Sequence, residues 1–125
     1  MYKLDEAVKM REFLLGHKAN FVDANDVLVG FDNSSNCCES FGWFYSDTIP
    51  QQVQDGPAPS DLNTYVFDTE FFQRIDREQD DSIVIFKLLS GNKVLYLCLH
   101  NTYDTYYSHG FQLEVGGKIL REGSI

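Results

Sequence analysis

The most constraining feature of this chain is a pair of apolar runs in its second half. Ile83-Val84-Ile85-Phe86-Lys87-Leu88-Leu89 and Val94-Leu95-Tyr96-Leu97-Cys98-Leu99-His100 flank Ser90-Gly91-Asn92-Lys93. Each run has the length and the β-branched or aromatic content of a strand. The Gly-Asn between them can take the positive φ values a tight hairpin needs. Both runs are apolar at odd and even positions alike, so each strand needs cover on both faces. They are therefore expected to be central strands of a sheet. The rest of the chain must supply the flanking strands and a covering layer.

Period-two patterning supplies the flanking strands. Val27-Leu28-Val29-Gly30-Phe31 follows the turn-forming Asp23-Ala24-Asn25-Asp26. Asn33-Ser34-Ser35-Asn36 is a tight polar connection, and residues 37–46 read as the returning strand of an antiparallel hairpin. On that strand Cys37, Glu39, Phe41, Trp43 and Tyr45 share one face, while Cys38, Ser40, Gly42 and Phe44 share the other. Residues 106–115 alternate again. Tyr107, His109, Phe111, Leu113 and Val115 face one way, and Gly116-Gly117 turns into a last short strand over 118–121. Tyr65-Val66-Phe67-Asp68 reads as a short strand or turn and Thr69 to Ile75 as the start of a helical turn, alternatives that periodicity alone does not separate.

The covering layer is expected from the amino terminus. Leu4, Ala7, Val8, Met10, Phe13, Leu14 and Leu15 recur near i, i+3, i+4 spacing, with charged residues between them. Asp5 and Glu6 suit a first helical turn, and His17 and Lys18 a C-terminal end. Gly16 suits the C′ position. The fold class expected is therefore α+β: an N-terminal helix within residues 1–18, packed on a largely antiparallel sheet of about five to seven strands. A chain of 125 residues is expected to form one domain. Residues 48–63, which hold all three prolines, read as a long surface loop, mobile rather than functional.

Charge and composition exclude several classes. The net charge of -9, from 19 acidic and 10 basic residues, disfavours binding to nucleic acid phosphates. No apolar run approaches the roughly 18 residues of a membrane span, and Met1 to Glu6 lacks a signal core. A soluble, cytoplasmic protein with no membrane partner is expected. Three cysteines imply no disulfide framework.

Chemistry-bearing residues are few. Adjacent Cys37 and Cys38 point to opposite strand faces, so one is expected in the core and one near the surface. Two sharper readings stay open. A metal could join a cysteine to His100, His109 or Cys98, although zinc ligands usually come in spaced pairs. A nucleophilic thiol would need His100 or His109 as base. His109 falls on the apolar face and reads as a hydrogen-bonded core histidine, whereas His100 ends its strand in a polar turn. Asp32, Glu39, His100 and Tyr106 converge only if the first hairpin neighbours the last. Trp43, Tyr45, Tyr103, Tyr106 and Tyr107 are amphipathic anchors of the sort found at interfaces, or else the packing of an aromatic-rich sheet. Gly42 and Gly110 permit bulges or close approach by a backbone or ligand.

The stretches Phe31-Asp32-Asn33-Ser34-Ser35-Asn36-Cys37-Cys38-Glu39-Ser40-Phe41-Gly42 and Tyr106-Tyr107-Ser108-His109-Gly110-Phe111 carry a resemblance. Together they resemble an uncharacterised family of small bacterial and phage proteins, which pairs Cys-Cys-Glu-Ser with a carboxyl-terminal Tyr-Tyr-x-His-Gly-Phe. The resemblance runs from about residue 27 to residue 115. This chain has Thr102-Tyr103-Asp104-Thr105 where that family has Asn-Gly before the Tyr-Tyr pair. The resemblance implies a small accessory domain and brings no activity, substrate or cofactor. The functional expectation is a non-enzymatic protein-binding module that modulates a host protein. Its candidate binding residues are Cys37, Cys38, Glu39, Trp43, His100, Tyr103, Tyr106, Tyr107 and His109, with no catalytic residue and no cofactor. The alternative is a small-molecule or metal-binding domain using Cys37, Cys38 and Glu39 with His100 and His109. A cysteine-dependent hydrolase is a third reading.

Overall fold

A computed structural model describes residues 10–16, 18–32, 40–77, 81–102 and 109–125. The central hairpin is as the sequence requires. β6 (Asp81–Ser90) and β7 (Lys93–Thr102) pair antiparallel from Asp81↔Thr102 to Ser90↔Lys93, around a turn at Gly91-Asn92. They form the middle of a four-stranded sheet, with β4 (Ser40–Ser46) beside β7 and β5 (Val66–Arg77) beside β6.

The cover is not a helix. It is a second antiparallel sheet of five strands, in the order β1-β2-β3-β8-β9. These strands are β1 (Met10–Leu15), β2 (Lys18–Asp23), β3 (Val27–Asp32), β8 (Gly110–Val115) and β9 (Lys118–Ser124). Among the described residues there are nine strands and a single 3-10 turn, Leu62–Thr64. The α+β expectation is thus overturned in favour of two antiparallel sheets, and the expected helix is a strand over Met10–Leu15. The physical reason lies in where its apolar residues go. Met10 is buried, but Phe13, Leu14 and Leu15 are 39%, 60% and 71% exposed, so they are not the core stripe the helical spacing suggested. Gly16, read as a helix C′ residue, has φ 61° and turns β1 into β2 instead. A left-handed glycine serves a hairpin turn as well as a helix end.

Two further expectations change. β3 and β4 do not form a hairpin: β3 pairs with β2 and β8, whereas β4 pairs with β7 in the other sheet. Thr69 to Ile75 is not a helical turn but part of β5. The register there slips between Asp68↔Lys87 and Gln73↔Ile85, a bulge that bends the strand.

The sheets pack face to face. Phe21, Val29, Phe31, Phe111 and Leu113 meet Val84, Phe86, Leu88, Leu97 and Leu99, all in one buried cluster. Rings cross the gap edge-on, Phe21 to Trp43 at 5.5 Å and Phe86 to Phe111 at 6.3 Å. A second buried cluster of Phe44, Ile83, Ile85 and Cys98 lies on the outer face of the four-stranded sheet, which accounts for β6 and β7 being apolar on both faces. Asp23 bridges the sheets: its carboxylate accepts the N–H groups of Asn25 and Val27 at one oxygen and of Phe67 at the other.

The segment between β4 and β5 is held at several points. The Tyr45 N–H donates to the Gly56 carbonyl at 2.7 Å. Leu62 and Tyr65 enter the inter-sheet core. Lys93 and Asp61 form an ion pair at 2.6 Å, and the hydroxyls of Thr64 and Ser90 share a hydrogen bond.

Candidate functional site

The sequence-derived candidates scatter. His109 is fully buried between the sheets, stacked on Phe41 with centroids 4.1 Å apart. Its Nδ1 lies 2.7 Å from the Asp32 carbonyl oxygen, and its main chain makes two hydrogen bonds with Ile125. Asn101 joins the same junction by donating to the Ile125 carbonyl. His109 is therefore a packed core histidine at the meeting of both sheets and the last described residue.

His100 is elsewhere. On β7, Leu97 and Leu99 face the inter-sheet core, while Cys98 belongs to the outer cluster. His100 shares the Cys98 face, and its ring lies 5.9 Å from that of Phe44. The two histidines thus occupy opposite faces of the four-stranded sheet and do not form one site. Cys98 is buried, and that burial pushes its thiol up to about 12, so it is no thiolate nucleophile at neutral pH. Among the described residues no three His, Cys, Asp or Glu side chains gather as a metal site. Trp43 faces inward against Phe21 and packs on the core cluster. It is a structural ring rather than a displayed anchor.

Cys37, Cys38, Glu39, Tyr103, Tyr106 and Tyr107 lie outside the described residues. Their flanks do come together, because β4 begins at Ser40 opposite Thr102 and Phe31 pairs with Phe111. The described residues that flank the two motif stretches are thus neighbours.

Two features that sequence reasoning missed stand out on the five-stranded sheet. The first is its β1 edge. Phe13, Leu14 and Leu15 are consecutive, so they expose apolar surface on both sides of an edge strand. The other edges differ. Gly56 bonds to Tyr45 along the β4 edge and β5 carries its bulge, while β9 exposes a shorter apolar pair, Ile119 at 52% and Leu120 at 53%, between Lys118 and Arg121. Glu12 of β1 accepts a hydrogen bond from the Tyr45 hydroxyl. Burial first, and the neighbouring Glu12 second, push that phenol well above its ordinary value. This bond fixes the start of β1 against the sandwich, while its last three residues stay open.

The second feature is a trough of about 430 Å³ on the outer face of the same sheet, among Lys18, Gly30, Asp32, Gly110, Gln112 and Glu122. Register explains it. Lys18 stands opposite Asp32, and Gly30, Gln112 and Glu122 follow one another across β3, β8 and β9. The glycines leave a bare floor within a polar rim.

No family model, curated protein or solved structure matches this chain. Function rests on these surfaces alone. No helix among the described residues is long and apolar enough to cross a membrane.

Proposed function

We propose that this chain is a protein-binding module that docks a partner along the β1 edge, by addition of an extended partner strand. One observation carries the reading: three consecutive apolar side chains, 39%, 60% and 71% exposed, on an edge strand, a longer apolar run than the Ile119-Leu120 pair on the opposite edge of the sheet. An edge strand offers a row of main-chain donors and acceptors for pairing, and apolar side chains beside it supply the buried area. An exposed apolar edge is costly to keep open in solution because it invites association, so its retention favours a use for it. This moves the expected binding surface from the aromatic hairpins to β1, since Trp43 and His109 are committed to the core. The accessory role implied by the family resemblance remains in keeping with such a module.

The test compares wild type with Leu14→Lys and Leu15→Lys in affinity capture, followed by titration of the recovered partner by calorimetry. The expected result is a partner whose affinity falls at least tenfold for both variants while the melting temperature is unchanged. A partner held equally well by both variants would place the docking surface elsewhere. Concentration-dependent self-association abolished by Leu15→Lys would instead identify the partner strand as a second copy of the chain.

A further inference from the structure

We infer that the trough on the outer face of the five-stranded sheet receives an arginine side chain of a partner protein. The inference rests on the protein-binding reading only for the carrier of that arginine. The trough itself lies over β3, β8 and β9, with Lys18 of β2 on its rim.

The floor is the first argument. Gly30 and Gly110 sit within strands, and neither has a left-handed φ. A Cβ at Gly30 would come no nearer than 3.6 Å to Asn20, and at Gly110 no nearer than 3.8 Å to the Gly123 carbonyl. Those are ordinary contacts, so neither backbone conformation nor internal packing requires glycine there. A glycine inside a strand weakens it, and it often marks a place where another molecule approaches the backbone closely. Side chains at these positions would fill the trough.

The rim is the second argument. Gln112 donates one of its two amide N–H groups to Glu114, and its carbonyl oxygen adds an acceptor to the rim. Asp32 and Glu122 add two carboxylates, so acceptors dominate, and Lys18 is the one cation among the lining side chains. The complementary ligand is positively charged and rich in N–H donors. A guanidinium presents five donors in one plane and is more weakly hydrated than an ammonium. A flat group also suits a flat, side-chain-free floor. Gln112 and Glu122 stand opposite each other on neighbouring strands, about 5 Å apart at strand spacing, so one guanidinium can bond to both. The overall charge of -9 favours approach of such a partner.

The test is a ¹⁵N chemical-shift titration of the full chain with N-acetyl-argininamide, N-acetyl-lysinamide and N-acetyl-citrullinamide. The expected result is saturable shifts at the amides of Gly30, Gly110, Gln112 and Glu122 with the arginine probe. Binding should be at least tenfold weaker with the lysine probe and absent with neutral citrulline. Gly110→Val should abolish these shifts with the rest of the spectrum intact. Should that variant fail to fold, Glu122→Gln should weaken arginine binding at least fivefold. Leu14→Lys, opposite core-facing Ala19 and so on the other face of the sheet, should leave the titration unchanged, so failure of the edge reading and failure of this one are separable. Equal response to citrulline, retained affinity in Gly110→Val or Glu122→Gln, or shifts spread over carboxylates across the surface would overturn the assignment.

Discussion

At the scale of single residues, Asp23 shows how much one side chain can organise. Its carboxylate accepts Asn25 N–H at 2.9 Å and Val27 N–H at 3.0 Å, which closes the β2–β3 turn. It also accepts Phe67 N–H at 2.8 Å, at the start of a strand in the other sheet. Replacing it with alanine would leave buried N–H groups without a partner, each worth about 1–3 kcal/mol. Asp23→Ala is expected to lower unfolding free energy by about 3 kcal/mol in urea titrations, with Asp23→Asn in between because one acceptor oxygen remains. A loss under about 1 kcal/mol for the alanine variant would show that water replaces the carboxylate there. Gly56 is a second such residue. A Cβ there would fall 2.0 Å from the Tyr45 carbonyl oxygen, so Gly56→Ala must push the loop off β4 and break the 2.7 Å bond from Tyr45 N–H. The expected cost is about 2 kcal/mol, together with faster amide exchange at Tyr45. The sequence marked Asp23 and Gly56 only as turn and loop formers. Their partners lie far along the chain, and no local pattern encodes a partner's position.

At the scale of elements, what was legible was what side-chain alternation enforces. The β6–β7 hairpin, the β3 strand and the inward face of β4 follow from apolar periodicity, because a one-residue slip would turn every core side chain to water. Phe41, Trp43 and Tyr45 do face the core together. Trp43→Ala is accordingly expected to cost about 3 kcal/mol in stability while sparing partner affinity of the folded fraction, the reverse of what Leu15→Lys should do. Denaturation and calorimetry on the two variants separate the roles. A Trp43→Ala protein of wild-type stability that no longer binds would return the site to the aromatic hairpins. β1 differs for an instructive reason. Phe13, Leu14 and Leu15 fit a helical stripe by spacing, yet three consecutive apolar residues exceed what one stripe can bury, and that excess is the signal for an exposed edge. Strand pairing was illegible for another reason. β3 and β4 belong to different sheets, as do β7 and β8, and nothing in the composition between them distinguishes a change of sheet from a hairpin turn.

At the scale of the whole molecule, stability should depend on pH asymmetrically. Burial holds the Cys98 thiol up from its ordinary 9.0 to about 12, and burial with Glu12 holds the Tyr45 phenol above its ordinary 10.0. The unfolded chain loses these protons at the ordinary values while the folded chain keeps them. Their stabilising effect is therefore complete below about pH 9 and is lost as pH rises toward and beyond 12. On the acid side the sign reverses. The Ser82 hydroxyl, and then Arg74, hold the Asp76 carboxyl below its ordinary 3.8, and Lys93 does the same for Asp61. That support is present above about pH 4 and disappears as these groups protonate. Both carboxylates are exposed to solvent screening, so the acid limb should be shallow and the alkaline limb steep. Urea midpoints measured from pH 3 to pH 12 would show a plateau between the limbs. Each buried acid that keeps its proton contributes a slope of up to about 1.4 kcal/mol per pH unit. Cys98→Val should reduce the slope between pH 9 and 12 by up to that amount, and Tyr45→Phe should reduce it only above about pH 10. An alkaline limb unchanged in Cys98→Val would mean that the thiol ionises without unfolding, and that the outer face of the four-stranded sheet admits water around Cys98.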